Sequence, residues 1–213
     1  SSPSRGLGDV YKRQNLASSS MEKPTLMFWM QKLMRKSRTL GNTNLKRAGP
    51  SGRYMVAYWL MKSEPHVYPY EQLVADGWTH WDGVRNYQAR NIMRDDMKKG
   101  DLVLYYHSNF KPPHVAGIAR IRKEGYPDFT AQDPSSKYFD AKATPDNPRW
   151  IMVDIEPVME LDSMIPLEDI KNNPECEGMA LIRKGQRLSV QPVDEEHFIA
   201  VLKMANLTIS DLS

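Results

Sequence analysis

At 213 residues the chain has room for one good domain, and its formal charge of +3 is an average of two unlike parts: residues 1–54 hold 11 Lys/Arg against 2 acids, net +9, whereas residues 55–213 hold 18 against 24, net −6. An acidic domain of that kind fits poorly with indiscriminate duplex binding, which runs on phosphate neutralisation. The single cysteine, Cys176, excludes an intramolecular disulfide, and together with 13 methionines it points to a reducing compartment, cytosol or nucleus.

The first 54 residues read as a disordered basic segment. Their one apolar cluster, Leu26–Met30, is too short to cross a bilayer, and no small-residue cleavage site follows it, so a secretory signal and a membrane anchor are both set aside. The stretch Ser4–Gln14 resembles the in-frame translation of a sequencing adapter, so residues 1–54 are expected to be non-native and dispensable, with Met55 as the start. The remainder is taken as a single domain, 55–213.

From Met55 the pattern is one of short runs between turn signals. Val56–Met61 is β-branched and aromatic and stops at Ser63-Glu64-Pro65, where proline ends the ladder. Tyr70–Asp76 has helical spacing. Asn86–Lys99 reads as a helix with Ile92, Met93 and Met97 as its apolar stripe and Gly100 as its stop. Asp101–His107 and His114–Arg122 read as strands, Gly125–Pro148 as a proline-rich excursion, and Trp150–Glu156 as a strand again. Leu167–Lys171 is a short helix, Leu188–Gln191 a brief strand ending at Pro192, and Asp194–Met204 a closing helix capped by Asp194. Five or so strands among short helices of irregular spacing predict an α+β fold, a small mixed β-barrel with flanking helices.

The densest chemistry lies in Trp81-Asp82-Gly83-Val84-Arg85-Asn86-Tyr87-Gln88-Ala89-Arg90-Asn91. Aromatic faces, amide edges and guanidiniums in one short segment suit a planar ligand rich in hydrogen-bonding edges, such as a nucleobase. Lys62-Ser63-Glu64-Pro65 and Tyr105-Tyr106-His107-Ser108-Asn109 both end a hydrophobic strand in polar side chains, as the mouth of a pocket does. Each also has an ordinary reading: a Lys–Glu pair on a loop is usually solvated and worth under about 1 kcal/mol, and a lone strand-end histidine is usually a satisfied one. Arg183–Pro192 is either a solvated basic turn or a phosphate grip at a pocket rim. The histidines have no metal-ligand spacing, no glycine-rich phosphate loop is present and no serine elbow frames Ser63 or Ser108, so no metal, cofactor or catalytic residue is assigned. Cys176, in an acidic turn-like setting, reads as a solvent-side thiol of raised pKa and no nucleophile.

Trp59–Pro65, the Trp81–Asn91 block, Tyr106–Asn109, Pro148–Trp150 with Val153-Asp154, and Arg187–Val193 together resemble the EVE-domain family, in order from about Tyr58 to Leu202. The resemblance implies a PUA-like fold, related to the YTH readers of methylated adenine, and recognition of a modified base, with modified cytosine in DNA the leading candidate. It implies a non-catalytic reader, a monomer without cofactor, whose partner is a modified nucleic acid or nucleotide; its location is cytoplasmic in a bacterium and nuclear in a eukaryote. The expected base contacts are Trp59, Lys62, Ser63, Glu64, Trp81, Val84, Arg85, Asn86, Tyr106, His107 and Ser108, with Trp59, Trp81 and Tyr106 as the aromatic pocket. Arg85, Arg187 and Ser189 are the expected phosphate contacts. The alternative is a small hydrolase of modified nucleosides, as in the related ASCH group, using Lys62 as an activated amine and Glu64 as a general base.

Overall fold

The computed structural model describes residues 55–212, so the expectations for residues 1–54 lie outside it. Within it the chain forms β1 (Tyr58–Ser63), α1 (Tyr70–Asp76), β2 (Thr79–Trp81), α2 (Tyr87–Asn91), β3 (Leu102–His107), β4 (His114–Pro127), β5 (Ile151–Pro166), α3 (Leu167–Asn172), β6 (Val190–Val193) and α4 (Glu195–Met204). The six strands make one mixed sheet in the order β2-β5-β4-β3-β1-β6; β1 runs parallel to β3 and every other pairing is antiparallel. None of these helices reaches the length and apolarity needed to cross a membrane.

The sheet is curled but not closed into the expected barrel. Trp81 on β2 and Tyr105 on β3 are three ladder steps apart, which in a flat sheet means roughly 14 Å at about 4.8 Å per step. Their ring centroids are 5.5 Å apart. The bend comes from the long β4–β5 pair, whose register shifts four times between Val115 and Tyr126, each shift adding a local twist. Closure would need a ladder between β2 and β6, and no described residue supplies one.

Alternation along the strands sends side chains to two separate cores. Tyr58, Leu60, Leu104 and Tyr106 pack with Phe198, Val201 and Leu202 of α4, whereas Trp59, Met61, Val103 and Tyr105 pack with Tyr70 and Leu73 of α1 and Ala89 of α2. Gly117 on β4 lets Tyr70 lie flat on the sheet; a Cβ there would sit 2.3 Å from the tyrosine ring. Tyr70 also donates its hydroxyl to the carbonyls of Ile118 and Met159, at 2.6 and 2.9 Å, and so ties α1 to β4 and β5.

Several element boundaries differ from the sequence reading for local reasons. The helix from Asn86 continues past α2 as a π-turn, Ile92–Asp96, and ends before Met97, which turns extended to bury its side chain completely. Lys98 N–H then bonds the Asp101 carboxylate at 2.9 Å instead of continuing the helix. β6 runs through Pro192 because β6 is an edge strand, where a missing N–H breaks no ladder. Asp194 occupies the N-cap of α4 but its side chain caps nothing; it lies 3.5 Å from His197 Nδ1. Cys176 corrects the solvent-side expectation: it is 0% exposed in the α4 core, and burial, then Glu175, pushes its thiol pKa up.

Candidate functional site

The parallel strands β1 and β3 end side by side, Ser63 opposite His107. Pro65 stops β1, and the chain turns back so that Val67 N–H and Tyr68 N–H both bond the Glu64 carbonyl. The turn brings the Tyr68 carbonyl over the strand ends, where it accepts hydroxyl hydrogens from Ser63 at 2.8 Å and Tyr105 at 2.9 Å. Trp81 approaches the same face, half-buried, with its ring edge-on to Tyr105 at 87°. Trp81, Ser63 and Tyr68, all partly exposed, therefore meet over the fully buried Tyr105 on the α1 side of the sheet.

His107 completes this row beneath α1. It is 3% exposed, and Tyr70 N–H points at its Nε2 from 3.4 Å, which makes Nε2 the acceptor and leaves the ring proton on Nδ1. Burial, then the neighbouring His114, pushes its pKa down and keeps the ring neutral. The Nδ1 atom has no hydrogen-bond partner, a buried donor lacking an acceptor.

On the Trp81 side the excursion after β4 is fastened down by Arg85. Its guanidinium donates to the carbonyls of Val84 and Tyr138 and pairs with the fully buried Asp128 carboxylate at 2.7 Å. Gly83, at φ +72°, presents its N–H to the same carboxylate, and the Tyr138 ring fills the space that a side chain there would need. Asp82, beside Trp81, has its carboxyl pKa pushed up by burial and then by Asp128. A network of His80, Tyr126 and Asp154 lies next to it, with His80 Nδ1 2.9 Å from Asp154 Oδ1.

These placements separate the expected base contacts. Trp81, Ser63, His107 and Ser108 cluster at the strand ends; Ser108 spends its N–H and hydroxyl on the Ser63 carbonyl. Trp59 does not join them as a stacking surface: it is 5% exposed in the core, with its indole N–H 2.9 Å from Asp101. Tyr106, 3% exposed, points to the opposite face and packs in the α4 core, so Trp59, Trp81 and Tyr106 cannot enclose one ligand. Lys62 shares that opposite face and is half-buried, its pKa lowered by burial. Val84 is core. Asn86 spends its carboxamide oxygen on the N–H groups of Gln88 and Ala89 as the cap of α2. Glu64 is held by Asn109 and His66, and no contact joins it to Lys62 among the described residues.

Of the expected phosphate contacts, Arg85 is the internal clamp just described. Arg187 is exposed on the loop before β6, and the carbonyl of Ser189 accepts Lys62 N–H at 2.8 Å. The sequence reading left Tyr68 and Tyr105 out of the expected contacts, although Tyr105 lay in a strand end that it marked. Tyr105 sits beside Tyr106 in the same strand, so its signal was parity, and parity becomes readable only when one residue of known face fixes the rest.

An open depression of about 620 Å³ lies at the far end of the sheet, lined by Val56, Lys99, Gly100, Leu102, Arg120, Ile121, Glu156, Ile209 and Leu212. It has no aromatic lining, and the rise of an extended chain puts Val56 roughly 23 Å from Ser63. It is not a place to stack a heterocycle.

Comparison with known proteins agrees with this architecture. The EVE domain family model matches residues 57–204. Human thymocyte nuclear protein 1 is 40% identical, the match covering 70% of this chain and 73% of that protein. A hypothetical protein from Leishmania major superposes with a TM-score of 0.68 at 45% identity, covering 71% of this chain and 96% of that one. Human THYN1 protein, solved in complex with 5-methylcytosine-containing DNA, gives a TM-score of 0.65 at 38% identity, covering 71% and 99%. With a family model spanning most of its length and a relative at 40% identity, this chain belongs to the EVE-domain family.

Proposed function

We propose that the protein is a non-catalytic reader that takes one modified base of DNA, a methylated cytosine, against Trp81 at the ends of β1 and β3. The observation that carries this reading is the half-buried Trp81 ring, held edge-on by Tyr105 beside a row of hydroxyls. A rigidly held indole offers a face worth about 1–3 kcal/mol of base stacking. The hydroxyl oxygens of Ser63 and Tyr105 keep lone pairs that can accept from the exocyclic amine of a base. The human relative solved with 5-methylcytosine DNA supports the same ligand class. Nuclear residence in a eukaryotic source fits the name of the relatives, thymocyte nuclear protein 1.

The hydrolase alternative needs Lys62 and Glu64 at one cavity. Their side chains have separate surroundings, Lys62 on the α4 side and Glu64 held by Asn109 and His66, so the reader is favoured. The test is equilibrium binding of a duplex with one 5-methylcytosine and of its unmethylated twin. Wild-type protein prefers the methylated duplex, and Trp81→Ala abolishes that preference while remaining folded; equal affinity of the wild type for both duplexes refutes the reading.

A further inference from the structure

A group of guanidiniums that the base site does not use surrounds Tyr87, the first residue of α2. Its ring is 48% exposed and stacks on Trp150, with centroids 5.0 Å apart and planes inclined by 25°. The Arg90 guanidinium lies 4.8 Å from the Tyr87 centroid and that of Arg149 lies 5.7 Å from it, Arg149 also donating to the Tyr87 hydroxyl. Arg90 is tied to the Arg149 segment through the Arg149 carbonyl at 3.0 Å. Two cations from distant parts of the chain are thus held around one aromatic ring.

Their counter-charges are few. Arg94 is matched by Asp95 at 2.6 Å. Among the described residues Arg149 has only Asp140 as a counter-charge, at 3.7 Å, and that carboxylate already takes the Trp150 indole N–H at 2.7 Å. Arg90 bonds the Asn91 side-chain oxygen and a backbone carbonyl, and no carboxylate pairs with it among the described residues. Burial first, then Arg94, lowers its pKa; Tyr87 and Asp95 oppose this, and Arg149 adds to it. This concentration of positive charge stands out in a domain of net −6. Guanidiniums match phosphate oxygens with paired N–H donors, and an arriving anion would relieve their mutual repulsion.

We propose that Arg90 and Arg149, held around the exposed ring of Tyr87, grip a backbone phosphate of the nucleic acid whose base the Trp81 surface reads. The proposal rests on the nucleic-acid reading above and assigns the backbone contact to residues that have no part in base discrimination. It also accounts for why Arg85 is unavailable, since that guanidinium is consumed in holding the excursion that carries Tyr138.

The test titrates the full chain with the methylated and unmethylated duplexes over a range of salt. Each phosphate contact adds about 0.9 to the slope of log affinity against log salt on duplex DNA, so Arg90→Gln should flatten the slope by about 0.9. Relative to wild type, the affinity gained between 1 M and 0.1 M salt then shrinks about eightfold, equally for both duplexes. Arg149→Gln should do the same, Arg149→Lys should restore the slope, and Arg122→Gln, on the sheet beside Trp78 and Glu156, should leave it unchanged. Unchanged slopes in folded Arg90→Gln and Arg149→Gln proteins, with the methyl preference intact, overturn this proposal and leave base reading standing. A flattened slope in a protein with no methyl preference establishes the phosphate surface and removes the reader. Equal loss of affinity for a polyglutamate peptide would assign the surface to acidic proteins and overturn the proposal.

Discussion

One face of the sheet is covered by α4 and the Leu167–Leu181 segment and carries mostly aliphatic side chains, whereas the other carries Trp59, Tyr70, Tyr105 and His107 and opens toward Trp81. The same strands feed both. In β3, Leu104 and Tyr106 serve the first face while Tyr105 and His107 serve the second. Adjacent residues of similar chemistry thus have unrelated fates, and an aromatic residue near a strand end says nothing about binding until its face is known.

Breaking the comparison at Trp59 should have the largest effect. Trp59→Ala removes a buried ring and one of the hydrogen bonds to the Asp101 carboxylate, so it should cost about 3–5 kcal/mol in chemical denaturation. If Trp59→Ala instead leaves stability intact and destroys methyl discrimination, the two-face assignment is wrong. Arg85→Ala should cost about 2–4 kcal/mol, because Asp128 loses its cation while fully buried and Tyr138 loses its donors. A merely weakened salt slope with unchanged stability would mean that Arg85 faces the ligand after all.

Trp81→Ala should show the opposite balance. Its stability cost should be near 1–2 kcal/mol, since the ring is only half-buried, but binding of the methylated duplex should fall by about 1–3 kcal/mol, the worth of one stacked base. The smallest effect is a pH dependence at Asp82. A carboxyl whose folded pKa is raised contributes its stability below the unfolded value near 4 and loses it as pH rises through the folded pKa. Ionised Asp82 therefore opposes folding at neutral pH. Asp82→Asn should raise the Tm at pH 7 by at most about 3 °C, and the gain should vanish below about pH 4. A gain that persists in acid would place its cause outside this titration.

Much of the scaffold was legible in the chain itself. Tyr70–Asp76 forms where its spacing indicates, Pro65 stops β1, Asn86 starts a helix, and the mixed α+β pattern is as expected. These are local outcomes, decided by proline geometry, capping and periodicity within a few residues. The Trp81–Asn91 block was also rightly marked as chemically dense, yet its residues divide among unlike tasks: Trp81 at the candidate surface, Arg85 in a clamp, Asn86 in a cap, and Arg90 beside Tyr87. Partners decide those tasks, and the partners come from far along the chain: Asp128 and Tyr138 for Arg85, Arg149 for Arg90, Tyr105 for Trp81. Residues determine which contacts a segment is equipped to make, but the curl of β4 on β5 decides which it meets, because ladder register and bulges set distances between residues dozens of positions apart.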